Sequence, residues 1–415
     1  MIQSKQLSEK EETEDSLFNN HGIKIQLRAG NHLYYCRNAE EAKGLLESLN
    51  TSDVFFSYDF YKAVESFVPS GLIFRYVFLF ESGELSAFLH YQIKKIDLGE
   101  SLEAAYDANA TKGWWKKLSH SVKLFFARRL NYYTLVSGNM LQTGRYGMHL
   151  QEKKNLDIDL YHEILESLCK TLKKEGVSIS GILMKDFYED QRLDDSKASK
   201  LGYHEFSVQP TMLMTIPADW QEMDDYMGSI KSKYKVRTRR TFKKCEGVEK
   251  IELSESDLLH WQDRTHEMYK NIATQASFNL FILDPKYFYS LKKHLQEKCK
   301  IIGYFSEGKM IGFFSIIYNG NVVDAHFLGY DPEYNRTMHL YHNMLYDLLR
   351  EAINTGATKL DLSRTAMEIK SSIGAIPHVM YLYLKIRNRF FNLFTPRALK
   401  FLIPEAKWEQ RNPFK

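Results

Sequence analysis

Apolar residues recur at helical or alternating spacing along most of the chain, and the changes of period mark the predicted elements. For the second half the pattern predicts, in chain order, a long helical region at about 222–246, helices at 256–271 and 285–296, a hairpin at 299–318, a strand at 321–330, a helix at 338–355, a strand at 358–362, a turn at Gly374 and a strand near 379–386. Strands and helices in this order indicate a mixed sheet with helices on its faces.

The two halves of the chain share sequence. LYHEILESLCKTLKKEG from Leu160 aligns without a gap to LYHNMLYDLLREAINTG from Leu340, and both end in Gly, a helix stop. Upstream, YVFLFESGELSAFLHYQI from Tyr76 resembles IIGYFSEGKMIGFFSIIY from Ile301, each a strand, a Gly-containing turn and a strand. Two matches in the same order predict an internal duplication, with an insertion near residues 100–130. Chance likeness between amphipathic helices is the alternative.

The duplication predicts an α/β protein of two tandem domains, each with a mixed central sheet flanked by helices. A length of 415 residues is ample for two such domains. The predicted limits are a flexible N-terminal tail at 1–20, a first domain at 21–206, a second domain at 207–390 and a basic aromatic C-terminal tail at 391–415.

Composition narrows the class of protein. The chain is 44% hydrophobic and 26% charged, as in soluble globular proteins, and its net charge of +4 does not by itself indicate nucleic-acid binding. The four cysteines lie far apart without a CxxC pair, so we expect reduced thiols rather than a zinc site or a disulfide framework. The N-terminus lacks the apolar core of a signal peptide, and no run of eighteen apolar residues occurs. A cytoplasmic location is therefore expected.

Several stretches carry a family resemblance. SIKSKYKVRTRRTFKKCEGV at 229–248 resembles the Lys-x-x-x-Arg-x-x-x-Arg-Lys segment of the Fem-type peptidoglycan peptidyltransferases and their GNAT-like bacterial relatives. LYHNMLYDLLREAINTGATKLDLSRTAMEIKSSIGA at 340–375 is similar to GNAT-like acyltransferase proteins, and SGNMLQTGRYG (137–147) and MKDF (184–187) fit the same group. Over roughly residues 50–390, the resemblance implies two tandem GNAT-like domains with a cleft between them. It also implies an enzyme that transfers an acyl or aminoacyl group to an amine acceptor in cell-envelope or lipid biosynthesis.

The resemblance also bears on the co-substrate. A GNAT fold holds the donor carbonyl between two splayed strands, and NVVDAHFLGY (321–330) would be one of them. Ordinary acetyltransferases follow that strand with a Gly-rich loop at a helix N-terminus that binds the pyrophosphate of CoA. This chain has DPEYNRTMHLYHN there, without glycine. The donor therefore stays open between acyl-CoA, an acyl carrier protein and aminoacyl-tRNA, and no metal is indicated.

A basic cluster is the first candidate site. Residues 231–244 hold eight basic residues and no acid. They predict a binding site for the phosphates of a nucleotide-linked, lipid-linked or tRNA substrate. The alternative is a solvated, charged helix face. By resemblance, the substrate-binding residues of this cluster are Lys233, Tyr234 and Arg237.

A second group of candidates follows the last strand of the repeated unit, in DLSRTAMEIKSSIGA. The carboxyl end of a strand is a common place for site residues in open α/β sheets. Arg364 or Lys370 would stabilise a carbonyl or a phosphate, and Glu368 would accept a proton, so these three are the predicted catalytic residues. The alternative for Arg364 and Glu368 is a salt bridge between residues four apart on one helix.

Further candidates lie around the donor strand and its counterpart in the first half. Asn335 and Tyr341 are predicted to bind substrate. His326, on an apolar strand, is interpreted as a hydrogen-bonded core residue rather than a base. Asp186 in MKDF would bind the acceptor in the interdomain cleft or cap a helix.

Two segments suggest a surface partner. Residues 111–130 contain six basic residues, no acid and an apolar stripe with Trp and Phe, and NRFFNLFTPRALKFLIPEAKW at 388–408 is similarly aromatic and basic. Such helices lie in membrane interfaces, or else pack against the domains. The expected partner is a small-molecule or lipid-linked amine acceptor, with a membrane surface and tRNA as open alternatives and no protein partner indicated. A membrane surface would place the protein peripherally at the inner face. A non-catalytic binding module and an RNA-binding protein remain the alternative functions.

Overall fold

The structure is a computed structural model, and it describes residues 22–97, 131–144, 146–151, 156–274, 281–402 and 408–415. The predicted N-terminal tail at 1–20 and the whole predicted insertion near 100–130, with its amphipathic segment 111–130, lie outside these residues.

Within the described residues the chain forms the following strands: β1 Ile23–Gln26, β2 His32–Cys36, β3 Leu72–Glu81, β4 Glu84–Asp97, β5 Asn131–Ser137, β6 Met148–Leu150, β7 Ile179–Phe187, β8 His204–Ser207, β9 Thr211–Thr215, β10 Glu249–Glu252, β11 Cys299–Ser306, β12 Lys309–Asn319, β13 Val322–Tyr330, β14 Lys359–Asp361, β15 Ile376–His378 and β16 Tyr381–Ile386.

The α-helices of the same residues are α1 Ala39–Glu47, α2 Tyr58–Ser66, α3 Ile158–Lys174, α4 Asp195–Lys200, α5 Met223–Ser229, α6 Ser232–Lys244, α7 Glu255–His260, α8 Gln262–Ala273, α9 Tyr287–Leu295, α10 Pro332–Met338, α11 Leu340–Asn354, α12 Met367–Ser372, α13 Arg389–Asn392 and α14 Thr395–Leu402. The predicted helical region at 222–246 is thus two helices, because Ile230 is extended and pairs with Phe414 near the chain end.

Two mixed sheets form the framework. The first has the strand order β1-β2-β3-β4-β5-β7-β16-β8, with β6 against β4, and the second has the order β10-β11-β12-β13-β14-β9-β15. In each sheet an antiparallel hairpin leads to a parallel pair, β5 with β7 and β13 with β14. Helices α3 and α11 make the two crossovers between those parallel strands. The prediction of two mixed α/β units is therefore confirmed.

The repeated hairpins have the same turn. Ser82 and Gly83 between β3 and β4, and Glu307 and Gly308 between β11 and β12, all have positive φ. Positive φ at both central residues is the mark of a type I′ turn, which matches the twist of a hairpin. The crossover helices are equivalent as well, since both α3 and α11 are followed by a glycine of positive φ and then by the parallel strand. Residues near 160 and near 340 therefore occupy corresponding places.

Counted by the repeat, the first unit ends with β9 and the second with β16, and each of these strands lies in the other unit's sheet. β9 follows β8 in the chain but pairs with β14 and β15, and β16 follows β15 but pairs with β7 and β8. The predicted limits at 206 and 390 divide the chain by sequence, whereas the first sheet includes β16. The sequence does not show this exchange, because the pattern of a short apolar strand fits many positions and tertiary packing selects its neighbours.

An apolar core joins the two halves. Phe60 of α2, in the first half, belongs to the same buried cluster as Tyr287 and Phe288 of α9, in the second half. A hydrogen bond accompanies this packing, since Ser290 Oγ donates to the carbonyl of Ala63 at 2.7 Å. The exchanged strands and this shared core make the junction between the halves a buried surface.

The C-terminal residues pack on both halves. Helices α13 and α14 lie against β16, and α14 also contacts β8. Residues 408–415 return to the second half, where the carbonyl of Pro413 accepts from Lys231 N at 2.8 Å and Phe414 packs on the core.

Candidate functional site

Two glycines let the segment after β5 approach β7. Gly138 has a φ of 142°, and a Cβ placed there would lie 2.2 Å from Cγ of Lys185. A Cβ at Gly147 would lie 2.2 Å from Cα of Gly138. Only glycine fits at such backbone approaches. The sequence SGNMLQTGRYG therefore folds tightly over the end of β7.

This close approach builds an ionic group that we call the anchor triad: Lys185, Asp186 and Arg364. The carboxylate of Asp186 is fully buried, and both Lys185 Nζ and Arg364 Nη2 donate to it. Gly144 N adds a hydrogen bond at 3.2 Å. Burial alone would raise the pKa of Asp186, but the two cations outweigh it and hold the pKa below its ordinary value. Since Arg364 comes from the other half, the triad ties the halves together.

The first-half side of the triad is held by backbone groups. Lys185 Nζ donates to the carbonyls of Asn139 at 2.8 Å and Gln142 at 2.9 Å. The stretches 137–147 and 184–187 thus meet, as members of one site. Helix capping by Asp186, one of its two predicted roles, is wrong: the residue ends a strand with φ 66° and its side chain turns inward.

Arg364 and Glu368 do not face each other on a helix. Ser363, Thr365 and Ala366 all have positive φ, so α12 begins only at Met367. Arg364 turns to Asp186, whereas Glu368 is an exposed residue that pairs with Arg411. The predicted salt bridge is wrong because the left-handed residues break the helical spacing on which it depended.

Lys370, on α12, is buried next to the bend formed by residues 363–366. Only 4% of the residue is exposed, and its Nζ donates to the carbonyls of Arg364 at 2.5 Å and Ser363 at 3.3 Å. Burial lowers the pKa of Lys370 to about 7, although the nearby Asp361 raises it. The side chain therefore holds the bend and is partly neutral at neutral pH.

Two buried carboxyl groups that sequence reasoning missed lie beside Lys370. Asp324 on β13 and Asp361 on β14 are register partners of the parallel pair, so their side chains share one face of the sheet. We call them the junction carboxyl pair. Their exposed fractions are 3% and 5%. An Asp inside an otherwise apolar strand, in VVDAHF and in TKLDLS, is the signal that could have found them.

The environments of the pair separate the two pKa values. Burial, the nearby Asp361 and Asp53 raise the pKa of Asp324 well above its ordinary value, and its Oδ2 has no hydrogen-bond partner among the described residues. Burial also raises the pKa of Asp361, to about 6, but Ser363 N and Thr211 Oγ1 donate to its Oδ1 at 2.7 and 3.1 Å. Both carboxyl groups therefore favour the protonated form more than an exposed aspartate does, and the hydrogen bonds to Asp361 oppose this effect at that residue.

The pair lies at the apex of a divergence between strands. β14 ends at Asp361, whereas β13 runs on to Tyr330. Beyond Asp324, β13 therefore has no described strand neighbour on the side of β14. The first half faces this point, since Tyr146 hydrogen-bonds Asp324 and Tyr188 interacts electrostatically with both the pair and the anchor triad. The divergence and the junction thus meet in one place.

His326 forms a polar link across the junction. Its Nε2 hydrogen-bonds Tyr287 at 2.8 Å and its Nδ1 hydrogen-bonds Gln142 at 3.0 Å. Burial lowers the pKa of His326 to about 3, so the ring is neutral. The interpretation of a hydrogen-bonded core residue is the one that this geometry fits.

The predicted anion-binding residues lie on α6. Lys233 and Arg237 are exposed, and Tyr234 is half-buried against the second core. None of the cations of α6 forms an ion pair with another described residue. The helix therefore presents a cationic face whose charge the described part of the protein does not neutralise.

Asn335 and Tyr341 lie at the bend between α10 and α11. Asn335 Oδ1 accepts from Tyr341 N at 2.9 Å, which satisfies one of the first N–H groups of α11. In a Gly-rich phosphate loop that end of the helix would be open to the ligand. His339, with φ 54°, makes the bend between the two helices.

A pocket of roughly 270 Å³ lies elsewhere, in the first half beside the N-terminus of α3, between Tyr161, Phe187 and Arg192. It contains neither member of the junction carboxyl pair, so we place the candidate site by chemistry rather than by this cavity. Across the described residues, no group of three or more His, Cys, Asp and Glu side chains is arranged to hold a metal ion.

Most of the second half of the chain matches a known protein family. Residues 232–371 match the family described as the acetyltransferase (GNAT) domain. No curated protein sequence matches the chain. Similar solved structures include FemX, with 12% identity, a TM-score of 0.49 and coverage of 90% of this chain and 99% of that one.

Two further similar structures have lower scores. The C-terminal domain of a putative lysylphosphatidylglycerol synthetase from Agrobacterium fabrum is 10% identical with a TM-score of 0.45, covering 90% of this chain and 99% of that one. A tandem GNAT protein from the clavulanic acid biosynthesis pathway is 8% identical with a TM-score of 0.43, covering 79% and 86%. The matched domain contains β13, β14 and the junction carboxyl pair, and the first sheet repeats its strand order. Residues 232–371 therefore match a GNAT domain, and the chain has the fold of two tandem GNAT-like units.

Proposed function

We propose that the protein is an acyltransferase that moves an acyl or aminoacyl group from an activated carrier to an amine acceptor. The observation that carries this proposal is the junction carboxyl pair, buried where β13 and β14 diverge within the GNAT domain. Two titratable groups whose environments separate their pKa values are the usual arrangement of an acid and a base at neutral pH.

The proposed roles follow from the different environments of the two carboxyl groups. Asp361, with a pKa raised to about 6, accepts the proton that the acceptor amine loses as its nitrogen bonds to the donor carbonyl carbon. Asp324 keeps its proton and donates a hydrogen bond to the oxyanion of the tetrahedral intermediate. The bond from carbon to the carrier's sulfur or oxygen then breaks, and the leaving group takes up the proton that Asp361 accepted from the amine. The products are an amide and the free carrier.

Access to the pair requires movement, because both carboxyl groups are buried. We propose that residues 362–366 open. This segment donates to Asp361 through Ser363 N, and three of its L-residues have positive φ, a conformation that costs about 1–3 kcal/mol each. Lys370 and Arg364 hold it closed, through backbone carbonyls and through the anchor triad. Their proposed contribution is thus to position the bend over the pair.

The donor is best matched by a polyanionic carrier. The cations of α6, with Lys233 and Arg237 among them, form no ion pair within the described part of the chain. Asn335 Oδ1 also accepts a hydrogen bond from Tyr341 N at the start of α11. In a CoA-binding loop, that N–H group would be open to the pyrophosphate. Both observations favour aminoacyl-tRNA over acyl-CoA, with an acyl carrier protein as the third donor to be tested.

The acceptor is proposed to be a small-molecule or lipid-linked amine of the cell envelope. This proposal rests on the resemblance of residues 229–248 to Fem-type peptidyltransferases. A peripheral position at the inner face of the membrane would bring the protein to such an acceptor.

The test is transfer by the purified chain. Aminoacyl-tRNA, acyl-CoA and acyl carrier protein, each with a labelled acyl group, are supplied with a mixture of primary amines, and amide products are measured by mass spectrometry. We expect an amide product from at least one donor, and Asp361→Asn to reduce its rate by about 10²–10⁴-fold. The matched control is Asp263→Asn, which makes the same substitution at an exposed position and should leave the rate unchanged. Binding of acceptors without any amide product would favour a non-catalytic binding module instead.

A further inference from the structure

Large apolar side chains stand exposed together near the C-terminus. Phe390, Phe391, Leu393 and Phe394 are 64%, 58%, 71% and 48% exposed. They make up four of the ten exposed large apolar residues of the described chain, within a stretch of five residues. We call these four the aromatic patch. Scattered exposed apolar residues need no explanation, but a contiguous group of them marks an interaction surface.

The polar residues of the same turn hold it to the body of the protein. Asn388 Oδ1 accepts from Phe390 N at 3.0 Å, and Asn392 Oδ1 accepts from Ile386 N at 2.9 Å. Asn392 Nδ2 donates to the carbonyl of Gly202 at 2.8 Å, and Thr395 is only 4% exposed. The side chains of Asn392 and Thr395 therefore face the body of the protein, and the aromatic rings face outward. This arrangement is the reverse of the usual one, in which apolar side chains face inward, and it leaves the aromatic patch on the outer surface.

Exposed cations flank the aromatic patch along the chain. Arg389, Arg397 and Lys400 are exposed and form no ion pair with any residue that the structure describes. Lys385 and Arg387 of the preceding strand, by contrast, both pair with Glu166. These three cations and the aromatic patch lie within twelve residues of the chain, so positive charge accompanies the exposed apolar side chains.

We propose that the aromatic patch docks on an anionic lipid bilayer, with its rings in the interface and the cations on the headgroups. Aromatic side chains favour the boundary between headgroups and acyl chains, and basic residues near it are attracted by anionic lipids. The exposed cations Arg389, Arg397 and Lys400 favour a negatively charged surface over a neutral apolar partner.

The position of the aromatic patch is consistent with docking of the folded protein. β16 separates it from Met380, whose sulfur lies 3.5 Å from Arg364 of the anchor triad. Six strand residues span about 20 Å. Docking at the aromatic patch would therefore leave the junction carboxyl pair away from the lipid, and the inference does not depend on the proposed reaction. No helix among the described residues is long and apolar enough to cross a membrane.

The test is cosedimentation of the purified chain with vesicles of phosphatidylglycerol and phosphatidylcholine in equal parts, and with vesicles of phosphatidylcholine alone. The patch variant combines Phe390→Ser, Phe391→Ser and Phe394→Ser. Its control combines Val68→Ser, Ile251→Ser and Leu259→Ser, which remove exposed apolar side chains elsewhere. We expect the patch variant to lower the partition coefficient at least about tenfold, and the control to leave it unchanged.

A charge series separates the contribution of the cations. Arg389→Gln, Arg397→Gln and Lys400→Gln together should weaken binding to the anionic vesicles by about a hundredfold, with a much smaller change on neutral vesicles. The control variant removes the same charge from exposed positions elsewhere, by Lys173→Gln, Lys270→Gln and Lys298→Gln.

Three results would overturn the proposal. One is a native chain that does not sediment with anionic vesicles, and another is equal sedimentation of the patch variant and its control. The third is a concentration-dependent dimer that the patch variant abolishes, without vesicle binding, because the aromatic patch would then be a protein interface. The rate of amide formation on a soluble acceptor should be the same in the native chain and the patch variant. A failure of the membrane-docking proposal can therefore be told apart from a failure of the proposed reaction.

Discussion

Neutralising Asp186 should destabilise the protein severely, because its carboxylate compensates two buried cations. Asp186→Asn keeps the shape of the side chain, and asparagine tolerates the positive φ of this position, so the substitution changes mainly the charge. It leaves Lys185 and Arg364, whose side chains are only 9% and 19% exposed, without their anion.

The size of the effect follows from that burial. Removing one partner of a buried ion pair costs about 3–5 kcal/mol, since the remaining charge is left uncompensated. Arg364→Met should cost less, about 1–3 kcal/mol, because Lys185 still pairs with Asp186. The double variant should lose about 0.5–3 kcal/mol less than the sum of the two single losses.

The assay is urea unfolding at neutral pH, followed by tryptophan fluorescence. Asp157→Asn is the matched control: Asp157 also pairs with a lysine, Lys197 at 3.3 Å, but both side chains are about half exposed, so the loss should stay below about 1 kcal/mol. Equal losses for Asp186→Asn and Asp157→Asn, or strictly additive losses in the double variant, would refute the reasoning.

Three further predictions follow from single features of the structure. Lys370→Met should remove a rise of native stability with pH between about 7 and 10. The pKa of Lys370 is lowered to about 7 in the folded chain, so the unfolded chain binds more protons in this window and native stability rises by up to about 1.4 kcal/mol per pH unit. Urea titrations at several pH values should show this rise in the native protein and a flatter profile in the variant. Gly147→Ala should lower the thermal midpoint by several degrees, because its Cβ would meet Gly138 Cα, and an unchanged midpoint in calorimetry would show that the loop has room. Lys233→Gln with Arg237→Gln should weaken tRNA binding and reduce its salt dependence by about two charges, as filter binding across a salt series would measure.

Much of the fold could be predicted from the sequence, because local periodicity and turn chemistry specify it. The repeat from Leu160 and Leu340 marks the two crossover helices, and the Ser-Gly and Glu-Gly turns mark the two hairpins. The exchange of β9 and β16 could not be predicted, because an apolar strand of five or six residues carries no signal for which of two similar sheets it joins.

The candidate site could be predicted only in outline. The stretches containing Asp186, Arg364 and Lys370 meet at the junction, but the salt bridge between Arg364 and Glu368 was inferred from helical spacing that three residues of positive φ interrupt. Asp324 and Asp361 were missed as a pair because the sequence marks each as an Asp in an apolar strand but does not show that the two are register partners.

The most direct test of the account is single-turnover amide formation by the native chain and by Asp361→Asn, with the donor that supports transfer and a saturating amine, across pH 5 to 9. The account predicts that the native rate rises through an apparent pKa near 6 and that Asp361→Asn loses about 10²–10⁴-fold and this pH dependence together. Equal rates for the two proteins, or the same pH profile in both, would contradict it.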